Sequence, residues 1–248
     1  MTLQPVLKTR HSSPSTSVNQ FDNQPRLKVY TASDFSGYTI QHLKAMYPNS
    51  WKEAALYFGI ALPEPSVEQI KQTAIKQQLW DFYPTNQPVI QKMLAIAGIQ
   101  PHHHILEPSA GSGDLANAIA QAGVHKIDCF ELHPLLQKAL KLQRFNLLGA
   151  DFLSSSPKQI YDRVIANPPF SRNGVACHTT HAFKFLKPGG KLVTLAHHYN
   201  LKPSQTDRRF FDWLKQNNAR FLNLGTAFNN SDRPTSTPIQ LITINKPC

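Results

Sequence analysis

Acidic side chains are scarce in this chain: fifteen Asp and Glu stand against twenty-six Lys and Arg, a formal charge of +11 over 248 residues. The imbalance favours contact with a polyanion and leaves the fold open. Cysteine is scarcer still. Cys129, Cys177 and Cys248 are odd in number, widely spaced and without a Cys-x-x-Cys pair, which excludes a disulfide framework and a zinc knuckle and fits a reducing compartment. Long apolar runs are missing too: the longest, such as 191–196 and 164–166, fall far short of the roughly 20 residues a bilayer requires. The amino terminus is polar, with no signal-peptide core. The expectation is a soluble, cytoplasmic protein with no membrane association.

What is present supports one sizeable core, with 41% hydrophobic residues, plus a small appendage. Residues 1–26 are rich in Ser, Thr, Pro, Asn and Gln, too polar to offset the entropy of ordering, and are expected to form a disordered tail. Over 27–80 the pattern turns helical, with Ile40, Leu43 and Met46, then Trp51, Ala54, Leu56 and Tyr57, broken by Pro48, Pro63 and Pro65. Three short helices are predicted there, a subdomain that either caps the core or reads DNA.

From residue 81 to 248 short apolar runs alternate with amphipathic stretches, the pattern of an α/β, Rossmann-like doubly wound sheet. Seven strands are predicted, near 104–107, 127–131, 146–149, 163–167, 191–196, 221–224 and 240–245. Helices fall between them at 88–97, 114–121, 134–142, 178–186 and 207–216. The last two strands leave no room for a helix, so the sheet should be mostly parallel with an antiparallel last strand.

The chemistry is concentrated at strand ends. Glu107, Pro108, Ser109, Ala110, Gly111, Ser112, Gly113 and Asp114 occupy the first strand-to-helix turn, where glycines let backbone amides approach a ligand. The dinucleotide fingerprint is incomplete, because its third glycine is missing, and Glu107 suits a cationic ligand better than a pyrophosphate. Glu131, followed by Leu132, lies where an acid can accept from ribose hydroxyls. Asp151 and Phe152 follow the third strand, placed to accept from an adenine amino group and to face its ring. Asn167, Pro168, Pro169 and Phe170 follow the apolar strand 161–166. The Asn167 side-chain oxygen and the Pro168 carbonyl can accept the two hydrogens of a planar ring-conjugated amine, pulling its nitrogen toward tetrahedral geometry and freeing its lone pair. Two prolines stiffen the turn, and Phe170 can stack on the base.

These residues resemble the class I S-adenosylmethionine-dependent amino-methyltransferases that carry an Asn-Pro-Pro-aromatic signature, especially bacterial and phage N6-adenine DNA methyltransferases such as those of restriction-modification systems. The resemblance spans about 81–247. It implies adenosylmethionine as cofactor, with contacts at Glu107, Ser109, Gly111, Glu131, Asp151 and Phe152, and Asn167 and Phe170 at the target amine. Phe82-Tyr83-Pro84-Thr85 resembles the first cofactor motif of such enzymes and implies contacts from Tyr83 and Thr85 to the methionyl carboxylate. The implied substrate is DNA; the rivals are adenine or guanine in ribosomal RNA, a protein glutamine, or a nucleic-acid-binding module whose methyltransferase fold no longer turns over. Two stretches depart from the family habit: Asn173 to His178 lacks the usual acids, and the loop 229–235 is poor in glycine. No large target-recognition domain follows the last strand, so specificity is expected from the N-terminal helices, the 170–177 loop, the 229–238 loop or a partner protein. His102, His103 and His104 are read as structural rather than metal-ligating, because neighbours on a strand point to opposite faces. His197 and His198 are expected at the cleft edge.

Overall fold

A computed structural model of the chain describes residues 37–197 and 205–248. The expected tail 1–26 and His198 lie outside the described residues. Contacts divide the chain between Glu64 and Pro65.

The first unit holds α1 (Ile40–Met46) and α2 (Trp51–Tyr57). Thr39 caps α1 by accepting from the His42 amide while the His42 ring accepts from the Thr39 amide, a reciprocal cap that satisfies two donors otherwise left open at a helix start. The third helix expected in the N-terminal extension, α3 (Val67–Lys76), belongs to the second unit. Its buried Ala74 packs with Phe82 and Leu136, so its apolar stripe is matched to the second unit.

The second unit continues with α4 (Gln87–Ala97), β1 (His104–Glu107), α5 (Asp114–Gln121), β2 (Lys126–Phe130), α6 (Pro134–Leu142), β3 (Asn146–Gly149), a 3-10 turn at Phe152–Ser154 and β4 (Tyr161–Ala166). It ends with α7 (Gly174–Phe183), β5 (Leu186–His197), α8 (Gln205–Gln216), β6 (Arg220–Gly225) and β7 (Ile239–Asn245). The seven strands are ordered β3-β2-β1-β4-β5-β7-β6. β1 is parallel to β2 and β4, and β4 to β5, while β7 runs antiparallel between β5 and β6. The doubly wound sheet with an antiparallel last strand is therefore the fold.

Two-residue alternation along the strands feeds two cores. Ile105, Ile165, Val193, Leu195 and Leu241 pack with α4, α5 and α6 on one face. Leu106, Val164, Leu192, Ala196 and Ile242 pack with α7 and α8 on the other. Two boundaries differ from the expectation. Helix α7 starts four residues before 178, immediately after Asn173 at φ +60, and ends before Phe185 and Leu186, which are buried. β5 begins at Leu186 rather than 191 because the Lys187 to Gly190 turn is held within the sheet, with Gly189 and Gly190 bonded to the backbone of residues 246 and 247.

The order of the strands reverses between the parallel neighbours β1 and β4, so their carboxyl ends open a crevice at the switch point. Among the described residues no helix is long and apolar enough to cross a membrane.

Candidate active site

Glu107 ends β1 and Asn167 follows β4 directly, so the pairing of those two strands brings the glycine turn and the Asn-Pro-Pro-Phe turn to one edge. Gly111 adopts φ +56 and Gly113 φ +89, conformations open to glycine at little steric cost. A Cβ at Gly111 would also stand 3.2 Å from the Phe82 ring. Gln143 braces the turn from α6, its Nε2 donating to the Ser112 carbonyl at 2.9 Å.

A cavity of about 500 Å³ opens at this edge. It is lined by Tyr83, Thr85, Glu107, Pro108, Ser109, Ala110, Gly111, Asp114, Glu131, Leu132, Asp151, Phe152, Asn167 and Pro169. That gathers nearly all the predicted cofactor residues from five separate stretches of chain. Gly113 is not in the lining; it faces Leu140 and Gln143. A second cavity of about 450 Å³ is lined by Pro168, Phe170, His197, Phe228, Thr235 and Ile239. Asp81, Tyr83 and Asn167 border both. Both volumes fall within the range of small-molecule sites.

Burial sets the electrostatics. Glu107 is fully buried and its Oε2 has no hydrogen-bond partner among the described residues. Desolvation, with Asp114 and Glu131 nearby, pushes its carboxyl well above the usual carboxylate range. Glu131 is also raised by burial, against the opposing pull of backbone amides. Its Oε2 accepts from the Gly111 N–H at 2.8 Å and its Oε1 from the His133 N–H at 2.7 Å. Those bonds fix the carboxylate and leave further acceptor capacity on each oxygen. Asp151 is exposed and accepts from the Leu153 N–H at 3.0 Å. Phe152 is buried against Phe130, Phe185 and His178. His178, not singled out in the sequence, lies 3.2 Å by Nδ1 from the Ser109 hydroxyl, and burial pulls its pKa down to about 4.

Asn167 Nδ2 donates to the Tyr83 carbonyl at 3.0 Å and to the Thr85 hydroxyl at 3.0 Å. A backbone carbonyl only accepts, so the amide nitrogen must face Tyr83. The side-chain oxygen is thereby left as the outward acceptor. Tyr83 and Thr85, expected at a methionyl carboxylate, thus hold Asn167 as well as lining the first cavity. Arg233 in turn holds their segment: its Nη1 donates to the Leu79 and Phe82 carbonyls at 2.6 Å each, and its guanidinium lies 4.3 Å over the Tyr83 ring. Lys71 bridges Asp114 and Asp232 at 2.7 Å each. No short sequence motif announces Arg233, Lys71, Gln143 or His178; each acts across a long stretch of chain.

The histidine run has structural partners. His104 Nε2 lies 2.8 Å from Asp128 Oδ2, which also accepts from the Tyr161 hydroxyl at 2.8 Å, and His103 Nδ1 accepts from the Gln100 N–H at 3.0 Å. Among the described residues no cluster of His, Cys, Asp and Glu could hold a metal ion. His197 reaches the second cavity, its ring 5.9 Å from that of Phe170.

No family model matches the chain. It is similar to the type II methyltransferases M.HincII and M.HindII of Haemophilus influenzae, 27% identical over 97 residues in each case. That stretch covers 37% of this chain but only 17% and 16% of those relatives. In three dimensions the chain resembles a Listeria monocytogenes protein assigned to the class I S-adenosylmethionine-dependent methyltransferases, with TM-score 0.54, 16% identity and coverage of 84% and 79% of the two chains. It also resembles the [4+2]-cyclase SpnF, with TM-score 0.52, 12% identity and coverage of 75% and 99%. The cyclase marks the limit of the likeness, since one fold hosts different reactions. What the chain has in common with these structures is the Rossmann-like fold of class I methyltransferases.

Proposed function

We propose that the protein is an S-adenosylmethionine-dependent methyltransferase that methylates the exocyclic amino group of adenine in DNA. The observation that carries this reading is the Asn167 carboxamide, held by Tyr83 and Thr85 on the border of two adjoining cavities. A group so fixed, with its oxygen available, suits the acceptance of a hydrogen from a planar amine.

The residues of the first cavity fit the cofactor. Glu107 Oε2 is a buried acceptor with no partner among the described residues, which a cationic methionyl arm would satisfy, and the same cation would return the Glu107 carboxyl to its charged form. Glu131 would hold the ribose, and Asp151 and Phe152 the adenine, with Leu132, 70% exposed at the rim, covering the ring. Pro108, Ser109, Ala110 and Gly111 would bring backbone amides close, and His178, kept neutral by burial, adds no repulsion toward a positive ligand. When bound, adenosylmethionine supplies an electrophilic methyl group on a sulfonium that leaves as a neutral thioether.

On the other side of Asn167, Phe170 would stack on the target base, and the Pro168 carbonyl would accept the second amine hydrogen. Drawing both hydrogens into hydrogen bonds localises the nitrogen lone pair, and the proton displaced on methylation leaves through one of those acceptors to solvent. The charge of +11 supports a polyanionic substrate, and the likeness to two type II methyltransferases supports DNA over RNA or protein. Selectivity would come from the 170–177 and 229–238 loops or from a partner protein.

Calorimetry with adenosylmethionine and adenosylhomocysteine tests the cofactor, and nucleoside analysis of DNA after incubation with labelled cofactor tests the product. Metal-independent binding of both ligands and N6-methyladenine are expected. Absence of binding at millimolar ligand, or methylation of RNA or protein with DNA ignored, would overturn the reading.

A further inference from the structure

Trp80 is 75% exposed, the most exposed large apolar side chain of the described residues, although it directly precedes the segment that orients Asn167. An indole left in water at the mouth of a site is an interaction candidate rather than a packing element. This one is held in a set orientation. Its Nε1 donates to the Ser171 hydroxyl at 2.9 Å, and Ser171 is anchored to Asp81 through its own hydroxyl and, at 3.3 Å, its backbone N–H. The Arg172 guanidinium lies over the indole, 5.6 Å from the ring centroid. Arg172 and Asn173 are both left-handed, at φ +49 and +60, an uncommon backbone for two successive residues with side chains. That reversal ends the loop from Phe170 with its arginine beside the tryptophan.

We infer that Trp80 and Arg172 form a stacking platform for the nucleobase adjacent to the target on an opened or single-stranded nucleic acid. The inference rests on the nucleic-acid reading above and adds to it Trp80, Ser171 and Arg172, which border the first cavity and are not among the predicted site residues. An indole face stacks on any base, and a guanidinium over it brings a fixed positive charge toward the backbone phosphates. Phe170 and Arg172 are two residues apart, at most about 7 Å of chain, a reach that suits neighbouring nucleotides of one strand. A base drawn out of a duplex loses stacking on its neighbour, and a platform beside the pocket replaces part of it. The chain's charge of +11 complements such a strand and not an apolar protein surface.

Anisotropy titrations of a fluorescein-labelled, adenine-containing single-stranded DNA 20-mer and its duplex, at several salt concentrations, test the platform. Calorimetry with adenosylmethionine on the same proteins is the control. Trp80→Ala should weaken the single strand on the order of tenfold, the scale of one lost base stack, with adenosylmethionine affinity held within about twofold of wild type. Trp80→Phe should recover most of the affinity because it keeps a stacking ring, and Arg172→Ala should weaken binding and flatten its salt dependence. Single-strand affinity unchanged in both Trp80→Ala and Arg172→Ala would overturn the inference. So would a Trp80→Phe protein that loses cofactor affinity with its DNA affinity intact, which would make the indole a cofactor cover. A wild-type protein that methylates a protein substrate and ignores the 20-mer would overturn it as well. If no adenosylmethionine binds while Trp80-dependent DNA binding persists, the methyltransferase reading falls and the platform stands.

Discussion

The carboxamide nitrogen of Asn167 and the hydroxyl of Thr85 meet at 3.0 Å across 82 positions of sequence. Together with the Tyr83 carbonyl they settle which atom of the amide faces outward. Thr85→Val should therefore lower the methyl-transfer rate by about tenfold through loss of one orienting bond, with cofactor affinity little changed. Asn167→Ala should cost a hundredfold or more, on the order of one lost preorganised acceptor. Single-turnover methylation beside calorimetry separates the two, and Glu131→Ala should do the reverse, weakening the cofactor first.

Glu107 carries a pH signature. Its folded-state pKa is raised by burial, so the stability it contributes is complete below the ordinary carboxylate value and is lost as pH rises through the raised one. Glu131, raised in the same direction, adds to that slope. The ligand-free protein should then melt at lower temperature as pH climbs from 4.5. Glu107→Gln should flatten part of the dependence, raising the melting temperature of the free protein near neutrality because Gln needs no proton to be buried neutral, while weakening adenosylmethionine at least tenfold. Thermal melts across pH with and without cofactor check both halves.

His178 slopes the other way. With its pKa lowered to about 4 from 6.5, its contribution is present above pH 6.5 and disappears as pH falls toward 4. It should remain neutral throughout the neutral range, so the pH-rate profile between 6 and 8 should be the same for wild type and His178→Asn. His178→Arg, which fixes a cation beside the cavity, should weaken the cationic cofactor by at least tenfold with adenosylhomocysteine less affected.

Arg233 acts on Asn167 through the 79–85 segment. Charge-assisted bonds contribute roughly 1.5–3 kcal/mol each, and the two Arg233 bonds to the Leu79 and Phe82 carbonyls share one nitrogen. Arg233→Ala should lower stability by about 2 kcal/mol, a fall in Tm of several degrees, and reduce kcat more than it raises KM. Arg233→Lys should restore the charge without the planar contact over Tyr83 and recover only part of the rate. A kcat left at the wild-type value in Arg233→Ala would remove this positioning role.

The order of strands and helices and the grouping of chemistry at strand ends were legible in the sequence because each rests on local signals. Two-residue alternation marks the strands, a glycine turn announces itself between strand and helix, and Asn-Pro-Pro-Phe is contiguous. Boundaries blurred where turns were absorbed into the sheet, as at Lys187 to Gly190, or where a helix started on a left-handed Asn173. Only the tertiary structure decided which distant groups meet. Lys71 and Asp114 are 43 residues apart, and Arg233 and the Leu79 carbonyl 154. No periodicity or motif encodes such pairs, because their energy exists only after the sheet order has brought the segments together. Tyr83 and Thr85 illustrate the division: the sequence by itself determined that a conformationally restricted Tyr-Pro-Thr turn precedes a helix, and the packing of that turn beside β4 decided that it holds Asn167.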